Sequence, residues 1–216
     1  MKTEIVETTR LAAASDSRDG FLFVGNQLAL DFLNTRPVQN GEAQELLSDF
    51  SSLLHWFRAA ELLKDHQITL LRKRWEESPS ARHTLEGICG FREELRKEVL
   101  RWEAGQNLHR ARIEDLNRIL ATHPMLTRLI ETKDGLRMTL SFDPHQPDDL
   151  FAPLAHGAAR LFAEADRTRV RKCGQCVLHF LDTSKKGTRR WCSMQLCGNR
   201  LKVAAYAHRK RIARKC

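Results

Sequence analysis

Three scarcities bound this 216-residue chain before any motif is considered. Hydrophobic residues make up 42% of it but never run together over nearly eighteen positions, so no membrane-spanning helix is expected. The opening MKTEIVETTRLAAASDSRDG lacks the unbroken apolar stretch of a secretory signal and reads as a flexible arm over residues 1–19, which suits a cytoplasmic protein. Tyrosine occurs once, at Tyr206, and aromatics total 7%, too few for the stacking surface that single-stranded nucleic acid favours. Acid is the third scarcity. Between Arg167 and Cys216, Asp182 is the one acid against fifteen Lys or Arg, about +14.

The net charge of +9 therefore hides a division, because positions 1–166 hold 21 basic and 26 acidic residues, about −5. A polyanion partner is expected for the tail and a different task for the body. A catalytic constellation is missing as well. His55, His66, His83, His109, His123, His145 and His156 are scattered, and none stands four residues from another beside an acid. They read as surface or locally bonded histidines, and Glu76-Glu77 and Glu93-Glu94 as solvated helix charges. No enzyme is expected.

What is there is first a mainly helical body over residues 20–166. Phe21 to Val24 suits a short strand and Gly25-Asn26 a turn, while Leu28, Leu30, Phe32 and Leu33 are too dense to choose between strand and buried helix. Asp49 can cap a helix carrying Leu53, Leu54, Trp56 and Phe57. A second helix spans about 67–77 and ends at Ser78-Pro79-Ser80. A third, over about 81–104, shows Leu85, Ile88, Phe91, Leu95, Val99 and Trp102 at helical spacing, with Glu93, Glu94, Lys97 and Glu98 on a solvated face. Ile113 to Leu120 marks a short helix. MLTRLIETKDGLRMTLSF reads as a hairpin turning at Asp134-Gly135, and Asp148 or Asp149 starts a last helix with Leu150, Leu154, Ala158, Leu161 and Phe162 on one face.

The remaining module, residues 167–216, is organised by Cys173-Gly-Gln-Cys176 and Cys192-Ser-Met-Gln-Leu-Cys197. Two close-spaced pairs read as a four-thiolate site, and one structural Zn²⁺ is the expected cofactor because zinc favours tetrahedral sulfur and needs no redox partner. Four thiolates and one Zn²⁺ carry a formal −2, which Lys172, Arg190 and Arg200 can offset. His179 is expected to pack or face water rather than to ligate. Cys89 reads as a small buried apolar residue and Cys216 as an accessible thiol. Phe180-Leu-Asp and Arg190-Trp191-Cys192 read as the arms of a hairpin whose loop carries Lys185, Lys186, Arg189 and Arg190. After a cap at Gly198-Asn199, a helix from Arg200 groups Lys202, Tyr206, Arg209 and Lys210 on one face. Knuckle, hairpin and helix suggest a treble-clef-like finger, and the fold class is α+β.

Cys197-Gly198-Asn199-Arg200, placed after Cys173-x2-Cys176 and Cys192, resembles the CGNR zinc-finger family. Upstream, Gly25-Asn26-Gln-Leu28-Ala-Leu30-Asp31-Phe32-Leu33-Asn34-Thr35 is similar to the opening of the ABATE domain that accompanies this finger. The resemblance implies a bacterial, stress-related transcription regulator in which the four cysteines hold zinc and Arg200 is the basic residue of the motif. Duplex DNA is then the expected partner of Lys185, Lys186, Arg189, Arg190, Arg200, Lys202, Tyr206, Arg209 and Lys210. RNA binding and a zinc-scaffolded protein-interaction module are the alternatives. The body is the expected place for a small-molecule effector or a homodimer contact, since the finger's charge repels its own copy.

Overall fold

A computed structural model describes residues 16–39 and 42–198. The helix expected from Arg200, with Arg200, Lys202, Tyr206, Arg209 and Lys210, lies outside the described residues, as do Cys216 and positions 1–15. Six α-helices and four two-stranded antiparallel hairpins make an α+β architecture among the described residues. Strands β1 (Ser17–Arg18) and β2 (Phe21–Leu22) pair around Asp19 and Gly20, both at positive φ, so residues 16–19 of the expected arm fold back on the body.

The dense apolar stretch left open between strand and helix is helix α1 (Leu28–Leu33). Five of its six residues are buried, Asp31 among them, and a short helix covered on nearly every side is stable only inside a core. A hairpin of β3 (Val38–Gln39) and β4 (Glu42–Ala43) follows. Helix α2 (Phe50–Ala59) begins where Asp49 Oδ1 accepts the Ser52 N–H at 2.6 Å. Helix α3 (Asp65–Trp75) leads to the long α4 (Pro79–Glu103). Ser78-Pro79 does more than end α3: Ser78 Oγ accepts the Ala81 N–H at 3.1 Å and Pro79 fills the first helical turn, so α4 starts earlier than its apolar spacing suggested.

Helix α5 (Arg110–Thr122) is anchored by Glu98, which accepts from the His109 N–H at 3.0 Å and bonds its ring Nδ1 at 2.6 Å. Glu98 is buried, which corrects its reading as a solvated charge; it serves the orphan end of the next helix. The long hairpin of β5 (Leu126–Thr132) and β6 (Gly135–Ser141) is present in the expected place. Its turn is Lys133-Asp134, and of Asp134 and Gly135 the glycine alone takes positive φ, at 108°. A short 3-10 turn, Pro147–Leu150, opens α6 (Phe151–Glu164). Hairpin β7 (Val170–Lys172) and β8 (His179–Leu181) follows, and the described chain runs on to residue 198 through the turn Met194–Gly198.

Helices α1, α2, α4 and α6 surround one core with Trp56 at its centre. Phe23 stacks on Trp56 at 6.3 Å between centroids, while Phe32 and Phe57 meet it tilted or edge-on at 5.6 and 5.5 Å. Gly157 lets α6 approach α1, because a Cβ there would meet Leu28 at 3.3 Å.

Arg92, 1% exposed, threads this apolar mass. Its Nη1 donates to Thr35 Oγ1 and to Glu45 Oε1, both at 2.8 Å, its Nη2 donates to Glu45 Oε2, and its Nε donates to Glu93 at 3.0 Å. Burial pushes the Glu45 carboxyl up, but the Arg92 hydrogen bonds outweigh it and hold the group below its usual range. Glu45→Ala leaves a buried guanidinium short of its bidentate partner. A loss of about 2–4 kcal/mol in urea unfolding at pH 7 is expected, with little change for Glu42→Ala on the exposed β4.

Candidate functional site

The metal centre is built by two backbone turns. In the first, between β7 and β8, Cys173 N–H donates to Leu178 O at 2.7 Å, and Val177 takes φ 57° so that the chain reverses around Cys176. In the second, Ser193 Oγ accepts the N–H groups of Gln195 and Leu196 at 3.0 and 3.2 Å, capping the tight turn Met194–Gly198 that carries Cys197. Ser193 also donates to Asp16 of the body. The cap expected at Gly198-Asn199 belongs to the helix from Arg200 and lies with it outside the described residues.

The four sulfurs lie within 4.8 Å of one another. Cys176 to Cys192 is 3.4 Å and Cys192 to Cys197 is 3.7 Å, against the ~3.8 Å edge of a tetrahedron with Zn–S near 2.3 Å. Hydrogen bonding from Cys192 draws the Cys176 thiol down to about 5. Burial and the Cys176 charge push Cys197 up to about 12, and Cys192, which donates a hydrogen bond to Cys176 and is buried, is held high. One thiolate forms readily and further ones are opposed by the first, a state that a divalent cation relieves. The cluster holds one structural zinc ion. His179 stays out of it: the ring is buried, burial pushes it down to about 4, and the neutral imidazole packs between finger and body.

The expected hairpin between Phe180 and Cys192 is corrected. Strand β8 pairs with β7, in register Val170↔Leu181, and Arg190-Trp191-Cys192 is not a strand. The 183–190 segment is an irregular loop organised by Asp182, the sole acid of the basic module, which is fully buried. Asp182 accepts the Ser184 N–H at 2.9 Å and the Arg189 N–H at 2.7 Å. Burial pushes its carboxyl up, but Ser184, the Arg189 N–H and the Arg171 charge hold it below its ordinary value. Arg169 donates to Asp182 O and Ser184 O, and Arg171 to Gly187 O. Gly187, at φ 59°, sits where a Cβ would press on the Arg169 guanidinium at 3.3 Å.

This splits the basic residues by task. Arg189 lies over the Phe180 ring at 5.3 Å and donates to the carbonyls of Trp191 and Cys192, so it braces the loop against the zinc turn. Lys185, Lys186 and Arg190 are exposed, and their side chains make no hydrogen bond or ion pair among the described residues.

The finger is seated on the opening of the body. Asn34, the C-cap of α1, donates from Nδ2 to His179 O and accepts the His179 N–H at Oδ1, both at 2.9 Å. At the other end of α1, Leu181 N–H donates to Gly25 O at 2.8 Å and Asn26 Nδ2 donates to Leu181 O at 2.9 Å. A six-residue helix thus supplies β8 with the pairing that a third strand would give. Gly25 is obligatory, since a Cβ would fall 2.7 Å from the Asp31 backbone nitrogen. The second apolar cluster joins Val24 of the body to Cys173, Leu178, Phe180, Cys192 and Cys197.

Residues 26–165 match the family profile described as "Putative stress-induced transcription regulator", ABATE, and residues 169–210 match the CGNR zinc finger. The chain belongs to the ABATE family. No curated protein matches it significantly. Neither matched family is a family of enzymes, and no helix among the described residues is long and apolar enough to cross a membrane. Asn26 and Asn34, at the opening of the ABATE match, are thus among the residues that hold the CGNR finger.

Asp31 lies under this seat, 1% exposed. Its Oδ1 accepts the Gly25 N–H at 2.7 Å, and its Oδ2 has no partner among the described residues. Burial pushes the carboxyl up to about 7, against the Gly25 hydrogen bond and the Arg18 charge. Between about pH 4 and 7 the folded chain alone keeps this proton, so stability falls as pH rises through that window and levels off above it. A fall of roughly 3 kcal/mol, read by urea unfolding at pH 4.5 and 8, is expected from Asp31 and is absent in Asp31→Asn. Asn34→Leu strips both partners from the His179 peptide. Amide exchange at 179–181 should rise at least tenfold, while zinc content, measured colorimetrically after thiol release, stays at one per chain.

Proposed function

We propose that the chain is a zinc-dependent, DNA-binding transcription regulator of the cytoplasm, with no enzymatic activity. Its finger contacts the duplex, and its body serves sensing or assembly. The observation that carries this reading is the separation of cationic tasks around one fixed loop. Arg169, Arg171 and Arg189 are spent on carbonyls, while Lys185, Lys186 and Arg190 stand exposed and unpaired on the frame they build. Cations held on a rigid frame suit phosphate oxygens, which position a protein on a duplex. The CGNR match also contains Arg200, Lys202, Arg209 and Lys210, four further cations, and Tyr206, and these are the other proposed contacts.

Zinc takes no part in contact. All four ligand positions are cysteine sulfur, so the ion supplies geometry, and the Arg189 bond to Cys192 O carries that geometry into the loop.

Fluorescence anisotropy with duplex DNA at 50–300 mM salt tests this reading. Affinity should fall steeply with salt, and Lys185→Ala with Lys186→Ala should reduce the log–log slope by roughly 2, about 0.9 per phosphate contact. Arg189→Ala should weaken binding by displacing the loop. Binding that ignores salt, or equal competition by double-stranded RNA, would point away from duplex DNA.

A further inference from the structure

We infer that the β5–β6 hairpin is a homodimer contact, in which its apolar face stacks on the same face of a second copy across a two-fold axis. The register places Thr127/Leu140, Leu129/Met138 and Glu131/Leu136 as opposed pairs on one face, and Arg128/Thr139 and Ile130/Arg137 on the other. Leu129 is 67% and Leu136 72% exposed, and Met138 shares the same bare face. Half of the large exposed hydrophobic residues in the described chain lie on this one hairpin, Leu129, Leu136 and Met138 on the first face and Leu126 and Ile130 on the other. A two-stranded ribbon standing in water is marginal alone; its first face is the more apolar, while the other mixes Leu126 and Ile130 with Arg128 and Arg137, so a cover is called for on the first.

The pattern along the face selects a second copy as that cover. An axis crossing the strands at the Leu129/Met138 pair lays the tip of one hairpin over the root of the other. Leu129 then meets Leu129 of the second copy, Met138 meets Met138, and Leu136 meets Leu140. The one charge on the face, Glu131, meets the hydroxyl of Thr127. Tip over tip would instead press each Glu131 on the other copy's Leu136 or Glu131. The antiparallel arrangement leaves Arg128 and Arg137 of both copies in solvent, and the interface is self-complementary, as a two-fold contact must be. The contact is independent of nucleic acid and can be read in its absence.

Sedimentation of the full chain with zinc, at 5–100 µM protein and without DNA, should give twice the monomer mass. Leu129→Glu with Leu136→Glu should convert it to monomer. Both side chains lie outside the two cores, so the circular dichroism spectrum and zinc content should hold. Arg137→Glu, on the other face, should leave the dimer intact. A wild-type monomer throughout this range overturns the inference, and so does a dimer that survives the paired glutamates. A monomer that sheds the hairpin's exposure only in the presence of another protein would overturn it equally.

Discussion

Strand β8 is a strand with two different neighbours, and the arrangement of both halves follows from that. On one side it has the usual ladder to β7; on the other it has the two ends of α1, through Asn34 at His179 and through Gly25 and Asn26 at Leu181. A side-chain amide that donates to one carbonyl and accepts from the same residue's N–H satisfies both polar groups of an edge peptide at once. Exposed strand edges are usually a hazard, and here the body itself closes the edge. The short finger gains a fixed orientation that its own few apolar residues could not supply, because Val24 and Leu22 enter its cluster from the body.

Charge is handled in the same economical manner. A module with fifteen basic residues and one acid would repel itself, yet the buried Asp182 and several backbone carbonyls absorb Arg169, Arg171 and Arg189. Arginine suits this because its planar fork can reach two carbonyls together. Lysine, a compact hydrated charge, is left on the rim at Lys185 and Lys186. The body holds the converse case: Arg92 is buried, and Glu45, Glu93 and Thr35 share it.

Much of this was legible in the chain. The cysteine spacing gave the metal centre, helical periodicity gave the helices of the body, and Asp49 marked the start of α2. What was hidden depended on partners remote in sequence. Glu98 has the pattern of a surface charge until His109 folds over it. Arg189 cannot be told from Arg190 by residue type, since only the position of the Phe180 ring and the Cys192 carbonyl separates a brace from an exposed cation. The pairing of β8 with β7 escaped notice because the basic stretch before Cys173 carries little apolar signal. Asn34, before a proline-terminated loop, reads as a turn residue, and nothing local reveals the strand 145 positions away. One clue was present: Asp182, as the sole acid of its module, was conspicuous by its isolation.

The seat has a consequence for how the protein is made. Gly25, Asn26 and Asn34 are synthesised about 145 to 155 residues before the strand they receive. The whole body leaves the ribosome, and its core can close, while the groove beside α1 still has no occupant. Contacts of such long range form late. Metal binding and docking are therefore linked, because the cluster that surrounds the four cysteines includes Val24 and Leu22 of the body. A nascent chain that ends before His179 has the helices of the body but nothing to fill the seat, and the polar groups at both ends of α1 are then open to other partners.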